Sequence, residues 1–277
     1  VASISSQIPK KMGIHIELTG NGDPFQHRDC EAIIRRLRKD HPDAYILIPT
    51  EGIILTEKRM RALLDSGISH ISYSMNAATR EAYKWLCGRD KYEKARSNLR
   101  RLIELRDEMP EDKRPIITTH IIGIKENEPD FQTFLDEWEP LLPGGVAIRT
   151  FGNWAGIVDG LVTPLDNWQD VDWDNRYPCL NPFHYIKLNC NGDYLLCFLD
   201  LFCVESPLGN IADLSLHEAW RGPYESYRKK HMCGEFKERL CDKCMVWSLY
   251  PNVFNVNGKE FSLMTTTGSD DHPKDAL

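Results

Sequence analysis

Four cysteines near the end of the chain could bind a metal. Cys241 and Cys244 form a C-x2-C pair, a spacing short enough for both thiolates to bind one metal centre. Cys179 and Cys197 precede them, and Cys197 lies four residues after a Gly-Asp pair typical of a hairpin turn. Four soft thiolates suit either tetrahedral zinc or an iron–sulfur cluster, and the spacing alone leaves both open.

Composition narrows the class of protein. The 277 residues include 42% apolar residues, enough for a large core, and the net charge of −7 does not favour a nucleic-acid-binding surface. No run approaches the roughly 18 apolar residues of a membrane span, and residues 1–7 show no signal-peptide pattern. The 9 cysteines are an odd number for a disulfide framework. We therefore expect a reduced, cytoplasmic protein with a thiolate metal site.

Short apolar segments alternate with longer amphipathic stretches, which is typical of parallel βα units. We predict an α/β fold in which these units form part of a barrel over residues 1–152, followed by a linker over 153–176. A small hairpin-and-helix domain is predicted over 177–250 and a partly disordered tail over 251–277. The predicted strands cover residues 14–18, 44–48, 70–74, 116–122 and 146–149.

Polar residues follow or end these predicted strands. Parallel α/β folds place ligands at the carboxyl ends of their strands, so this edge is where a site is expected. An arginine within an apolar strand also requires an anionic partner. The candidates are Asn21, Gly22, Asp23 and Pro24 after the first strand, Thr50 after the second, Ser74 and Asn76 after the third, and His120 and Arg149 on the fourth and fifth.

In this order the turns resemble those of radical S-adenosylmethionine enzymes. Residues 21–24 are similar to that superfamily's Gly-Gly-Glu-Pro turn, residues 49–52 to its Thr-Asn-Gly turn, and residues 71–76 to its ribose-contacting strand. The resemblance implies a (β/α)6 barrel without its first unit. It implies a cofactor site formed by Asn21, Gly22, Asp23, Pro24, Thr50, Ser74, Asn76 and His120, with Arg149 contacting substrate.

The cysteine region resembles the shortened SPASM type called twitch, which carries one auxiliary [4Fe–4S] cluster. The motifs are Cys179, Gly192-x4-Cys197, residues 208–210, Trp220 and the C-x2-C pair. The resemblance implies that Cys179, Cys197, Cys241 and Cys244 are the cluster's ligands. The spacing is most similar to the 2-deoxy-scyllo-inosamine dehydrogenase type, which oxidises a secondary alcohol.

One motif of the superfamily is absent from these 277 residues. The C-x3-C-x2-C segment binds the [4Fe–4S] cluster that cleaves S-adenosylmethionine, and we expect it upstream of Gly22 in a longer form of the protein. The alternative is a chain that lost this segment or receives it from a partner. The activity of this chain alone therefore stays open.

The resemblance implies a radical S-adenosylmethionine oxidoreductase. A 5′-deoxyadenosyl radical would abstract hydrogen from a small polyol or sugar, the auxiliary cluster would accept an electron, and a flavodoxin or ferredoxin would supply reductant. Two alternatives stay open: a peptide-modifying SPASM enzyme, and a non-catalytic module that binds zinc or regulates a split enzyme. We expect no nucleic-acid or membrane partner.

Overall fold

A computed structural model gives the structure of the protein. It describes residues 2–10, 13–20, 22–156, 160–163, 165, 173–176, 178–179, 181–200, 205–237, 239–248, 253–256 and 259–262, the last two ranges through their backbone alone. Asn21 and much of the predicted tail lie outside the described residues.

Five parallel strands form one sheet in sequence order, as the alternation of strands and helices predicts. Adjacent pairs are in parallel register throughout, with a bulge between Ser74 and Asn76 in the third strand. The carboxyl ends therefore lie along one edge, where the predicted site residues are found. The strands are β1 (His15–Glu17), β2 (Tyr45–Thr50), β3 (His70–Asn76), β4 (Ile116–Gly123) and β5 (Val146–Thr150).

Helices connect the strands and cover one face of the sheet. Several begin at a residue that caps them: Thr56 and Thr79 each accept a hydrogen bond from the backbone N–H three residues ahead. These N-caps specify where the chain leaves a turn and enters a helix. The helices of this region are α1 (Ala2–Ser5), α2 (Cys30–Asp40), α3 (Glu57–Leu64), α4 (Arg80–Cys87), α5 (Tyr92–Asp107) and α6 (Phe131–Trp138).

The main core lies between these helices and the sheet. Ile46, Ile71 and Ile148 face it from three strands and are almost completely buried, against Ile34 and Leu99 of the helices. Because side chains alternate along a strand, their sequence neighbours face the opposite, concave side of the sheet. That side carries polar and charged side chains, which is unusual for an all-parallel sheet, because such sheets are normally covered by apolar packing on both faces.

The C-terminal region contains a short antiparallel hairpin of β6 (Lys187–Leu188) and β7 (Tyr194–Leu195). The sequence predicts one continuous helix after it, from about Leu214 to Lys230, and this prediction is wrong. Two helices form instead, α8 (Leu216–Arg221) and α9 (Pro223–Met232), because Gly222 has non-helical dihedral angles and Pro223 lacks an N–H. The remaining elements are α7 (Asn181–His184), α10 (Arg239–Asp242), β8 (Val253–Val256) and β9 (Lys259–Ser262).

The turn after β2 is held tightly against β3. Gly52 has φ +67°, and a Cβ atom there would lie 2.0 Å from the Tyr73 hydroxyl. Tyr73 cannot move aside, since it is completely buried and donates a hydrogen bond to the Ala95 carbonyl at 2.8 Å. Asn98 fixes the turn from α5 by donating to the Gly52 and Leu55 carbonyls. Glycine is therefore required at this position.

None of the helices in the described part of the chain combines the length and apolar character needed to cross a lipid bilayer.

Substituting Gly52 tests this packing, with Gly88 as a matched control. Both glycines have φ +67°, but a Cβ at Gly88 would meet no atom within 4 Å. Both alanine variants have the left-handed backbone cost of about 1–2 kcal/mol. Gly52→Ala should lower the free energy of unfolding by about 1–3 kcal/mol more than Gly88→Ala, because it also overpacks Tyr73. Urea denaturation measures both, and equal losses would contradict this account of the turn.

Candidate functional site

Four cysteines line a single cavity in the C-terminal region. Cys179 precedes α7, Cys197 follows β7, Cys241 lies in α10 and Cys244 follows that helix. The cavity has about 350 Å³ of empty space including its mouth, and Arg176, Tyr227, His231 and Trp247 also line it. The structure thus brings together all four predicted ligands. Within the described ranges, no three or more His, Cys, Asp or Glu side chains form a group suited to a single metal ion.

Backbone N–H groups point at the cysteine sulfurs in a repeated pattern. The N–H of Asn181 donates to Cys179, that of Leu199 to Cys197 and that of Val246 to Cys244. In each case the donor lies two residues after the cysteine. Such hydrogen bonds stabilise a thiolate and influence the reduction potential of a cluster bound by it.

The thiols are difficult to ionise where they lie. Burial is the main cause that raises the pKa of Cys179 to about 12; the neighbouring cysteines add to this rise and the Asn181 N–H opposes it. Burial likewise raises the pKa of Cys197 and of Cys244 to about 11. Four thiolates here are stable only with positive charge among them, and iron supplies it. The donor set fits an iron–sulfur cluster.

Side chains of α9 and α7 also approach the sulfurs. The Tyr227 hydroxyl lies 2.5 Å from the Cys241 sulfur, and His231 Nε2 lies 3.8 Å from it. Asn181 Nδ2 lies 3.8 Å from the Cys197 sulfur. Tyr227 and His231 are four residues apart on one helix, so they face the cavity together.

The segment after β5 holds the C-x2-C turn. Asn153 Nδ2 donates to the Lys243 carbonyl at 2.8 Å, and the Met245 N–H donates to Asn153 Oδ1 at 3.3 Å. Ala155 has φ +59°, rare for a residue other than glycine, and its N–H donates to Cys244. The last strand of the sheet therefore leads directly to the cysteine cavity.

The first two predicted cofactor turns are joined to each other. Asp23 Oδ2 accepts hydrogen bonds from Thr50 Oγ1 at 2.7 Å and from the Glu51 N–H at 2.9 Å. Its Oδ1 accepts from the Phe25 N–H, and Pro24 begins a short 3-10 helix. Asp23 thus fixes the two turns relative to one another, with Gly22 at φ +89° beside it.

Ser74 and Asn76 lie at the end of β3, and His120 lies within β4, beside Ser74. Ser74 pairs in register with His120, so both side chains face the concave side of the sheet. Asn76 adopts φ +65°, and its carbonyl accepts a hydrogen bond from Asn127 Nδ2 at 2.9 Å. The structure thus gathers Gly22, Asp23, Pro24, Thr50, Ser74, Asn76 and His120 along the carboxyl edge of three of the strands and the turn after β1.

A charged set lies on the concave side. Glu17, His120 and Arg149 face it from β1, β4 and β5, and Lys187 reaches it from the hairpin, donating to the Thr19 carbonyl at 2.8 Å. Glu17 remains exposed to solvent, but the protein atoms packed around its carboxyl partly desolvate it and raise its pKa, against the opposing effect of Lys187 and Arg149. Burial and, to a smaller extent, the positive charge of Arg149 hold the pKa of His120 well below its usual value. The imidazole is therefore neutral. We refer to these four residues as the concave charged set, of which His120 is the neutral member.

Sequence reasoning missed Glu17, Lys187, Arg176, Tyr227 and His231. The alternation of His15, Ile16 and Glu17 placed Glu17 opposite the core, and the four-residue spacing of Tyr227 and His231 was a second usable signal. Lys187 and Arg176 had no local signal, because their positions depend on contacts with distant segments.

Comparisons with known proteins agree with this arrangement. The family model of the radical SAM superfamily matches residues 4–137, and that of the SPASM iron-sulfur cluster-binding domain matches residues 179–245. A search of curated proteins finds no match.

Solved structures share the fold at low sequence identity. BtrN in complex with AdoMet and 2-DOIA superposes with a TM-score of 0.54 at 18% identity, over 88% of this chain and 76% of that one. anSMEcpe with bound AdoMet and Cp18Cys peptide gives a TM-score of 0.56 at 12% identity, over 87% of this chain and 79% of the other.

The raised thiol pKa values predict slow alkylation of the metal-free protein. At pH 8.5 a thiol of pKa about 11 is thiolate to about one part in 300, whereas an ordinary thiol is about half ionised. Cys197 and Cys244 should therefore react with iodoacetamide at least about 100-fold more slowly than the exposed Cys190 and Cys233. Their rates should rise from pH 8.5 to pH 11. Mass spectrometry of labelled peptides measures this, and equal rates at pH 8.5 would contradict it.

Proposed function

We propose, from the match of residues 4–137 to the radical SAM superfamily and of residues 179–245 to the SPASM domain, that this chain is an oxidoreductase acting on a small polyol or sugar. The observation that carries the proposal is the position of the concave charged set beside the cysteine cavity. Lys187 belongs to that set and also lies within electrostatic range of Cys197. A substrate bound there would lie between the cofactor edge of the sheet and the cysteines.

S-adenosylmethionine would be held by the turns around Asp23 and Thr50, by the end of β3 and by His120 within β4. When bound, S-adenosylmethionine and its reducing cluster supply a radical that abstracts hydrogen, and the auxiliary cluster supplies a site for the released electron. This chain's own residues hold and orient these groups. The neutral His120 accepts or donates a hydrogen bond at the strand edge without adding charge next to Arg149.

Four cysteine ligands leave no open position on an auxiliary cluster. Cys179, Cys197, Cys241 and Cys244 would each bind one iron, so substrate has no iron to coordinate. Electron acceptance is then the better role. A flavodoxin or ferredoxin type of reductant is part of the same proposal.

The substrate class rests on the polar character of the concave side. Arg149 and Lys187 donate hydrogen bonds and Glu17 accepts them, which suits a molecule with several hydroxyl or amino groups. The fold shared with BtrN, whose structure contains AdoMet and 2-DOIA, supports this class. The fold shared with anSMEcpe, whose structure contains a peptide, makes a peptide substrate the competing candidate.

Metal analysis tests the cofactor part of the proposal. The chain, reconstituted without oxygen, should contain about four irons and four sulfides. Cys241→Ala should lose most of both, because it removes one of four ligands. Cys233→Ala, which removes an exposed thiol of the same region, should keep them.

Other metal contents would contradict it. One zinc per chain without sulfide would leave a structural zinc module and overturn the oxidoreductase proposal. Full iron loading in Cys241→Ala would remove that residue from the ligand set.

Substitutions of the concave charged set test the substrate site. Arg149→Ala and Glu17→Ala, made separately, should each lower kcat/KM for substrate-dependent consumption of S-adenosylmethionine about 10- to 100-fold. This range corresponds to the loss of a hydrogen bond to a charged group. The assay uses the protein carrying its radical-generating cluster, with polyols, aminocyclitols and peptides compared.

Arg35→Ala, on the outer surface of α2, is the control and should leave kcat/KM unchanged. Unchanged kinetics in Arg149→Ala would remove its substrate role. Stimulation by peptides alone would replace the polyol proposal with the peptide one.

A further inference from the structure

We propose that Arg176 is the counter-ion of the auxiliary cluster and raises its reduction potential. The inference rests on the proposed function, because it requires a cluster on the four cysteines. Arg176 is not a ligand of the cluster in this proposal, and its positive charge favours the acceptance of an electron by the cluster.

Arg176 is held at the cavity wall from several sides. Its Nη1 donates to the carbonyl of the cysteine ligand Cys241 at 2.9 Å. Its guanidinium carbon lies 4.3 Å from the centroid of the Phe236 ring, 5.6 Å from that of Trp247 and 5.8 Å from that of Trp173. Aromatic rings at these distances stabilise a cation and limit its movement. The charge therefore stays beside the cavity.

No carboxylate of the described residues forms an ion pair with this guanidinium, and Arg176 Nε is buried without a hydrogen-bond acceptor there. Arg176 is half-buried, and a charge that is partly removed from water is stabilised by a partner of opposite sign. The cavity that Arg176 lines is where four cysteines meet. Cysteine thiolates, alone or on a cluster, provide the missing negative charge.

The electrostatic effect on the cysteines has the sign that the inference needs. Arg176 lines the same cavity as Cys241 and Cys244, so its positive charge stabilises negative charge at those sulfurs. Reduction adds one electron to the cluster and makes it more negative. A fixed cation at the wall stabilises the reduced form more than the oxidised form, so it raises the potential.

The contrast with Arg228 shows what is particular about Arg176. Arg228 also stacks on an aromatic ring, 4.0 Å from the centroid of Trp220, and donates to the carbonyls of Pro182 and Trp220. It does not line the cysteine cavity. It provides a matched stacked arginine of the same region for the experiment.

The experiment is a redox titration of the chain reconstituted with iron and sulfide without oxygen, followed by electron paramagnetic resonance. Arg176→Met keeps length and apolar contact but removes the charge. At a fixed potential the reduced-to-oxidised ratio of the cluster should fall about tenfold or more, a shift of about 59 mV to more negative potential for one electron. Arg176→Lys keeps the charge and should stay closer to the parent. Arg228→Met should not shift.

Two results would overturn the inference. One is an unchanged potential in Arg176→Met at full iron loading, and the other is an equal shift in the Lys and Met variants. Should Arg176→Met fail to load iron, Arg176→Gln replaces it in the comparison with Arg176→Lys, because its amide can still donate to the Cys241 carbonyl. A parent protein that binds no cluster would refute the proposed function itself, so the two failures are distinguishable.

Discussion

The cost of ionising several thiols in one buried cavity is the constraint on which this structure depends. Burial is the main cause that raises the pKa of Cys179, Cys197 and Cys244 well above that of a thiol in water, and each thiolate disfavours the next. The protein offsets part of this cost with backbone N–H groups and with the cation of Arg176. The rest must come from a bound metal group. The cavity is thus stable as thiols without metal and as thiolates with it, which couples metal binding to proton release.

This requirement explains how the C-terminal region is built. Its four cysteines come from three segments, and each segment is fixed by hydrogen bonds or packing that place its sulfurs at the cavity. Asn153 connects the C-x2-C turn to the sheet. It lies three residues after the end of β5, and its side-chain amide forms hydrogen bonds with that turn. Lys187 makes a second connection, from the hairpin to the end of β1. The concave side of the sheet and the cysteine cavity are therefore parts of one continuous structure.

The two faces of the sheet have different tasks. The helix-facing side contains isoleucines and Tyr73 in the core, and it provides the packing that holds the strands in register. The concave side carries Glu17, Ser74, His120 and Arg149. In a parallel sheet packed on both faces these groups would be costly, since burial penalises charge. Their presence is compatible with a face that binds a polar ligand, which is why we place the substrate there.

Much of this could be read from the sequence because it depends on local periodicity. The five strands and the Thr79 cap follow from alternation and capping chemistry, and the C-x2-C pair marks its two cysteines by their spacing, because these signals act over a few residues. The break at Gly222 was also visible as a Gly-Pro pair, although one helix was expected there. Lys187 and Arg176 were decided only by tertiary structure. The role of Lys187 depends on its contact with the end of β1, and that of Arg176 on its contact with the Cys241 carbonyl. Both contacts join segments that are distant in sequence, and charge acts through space and not along the sequence.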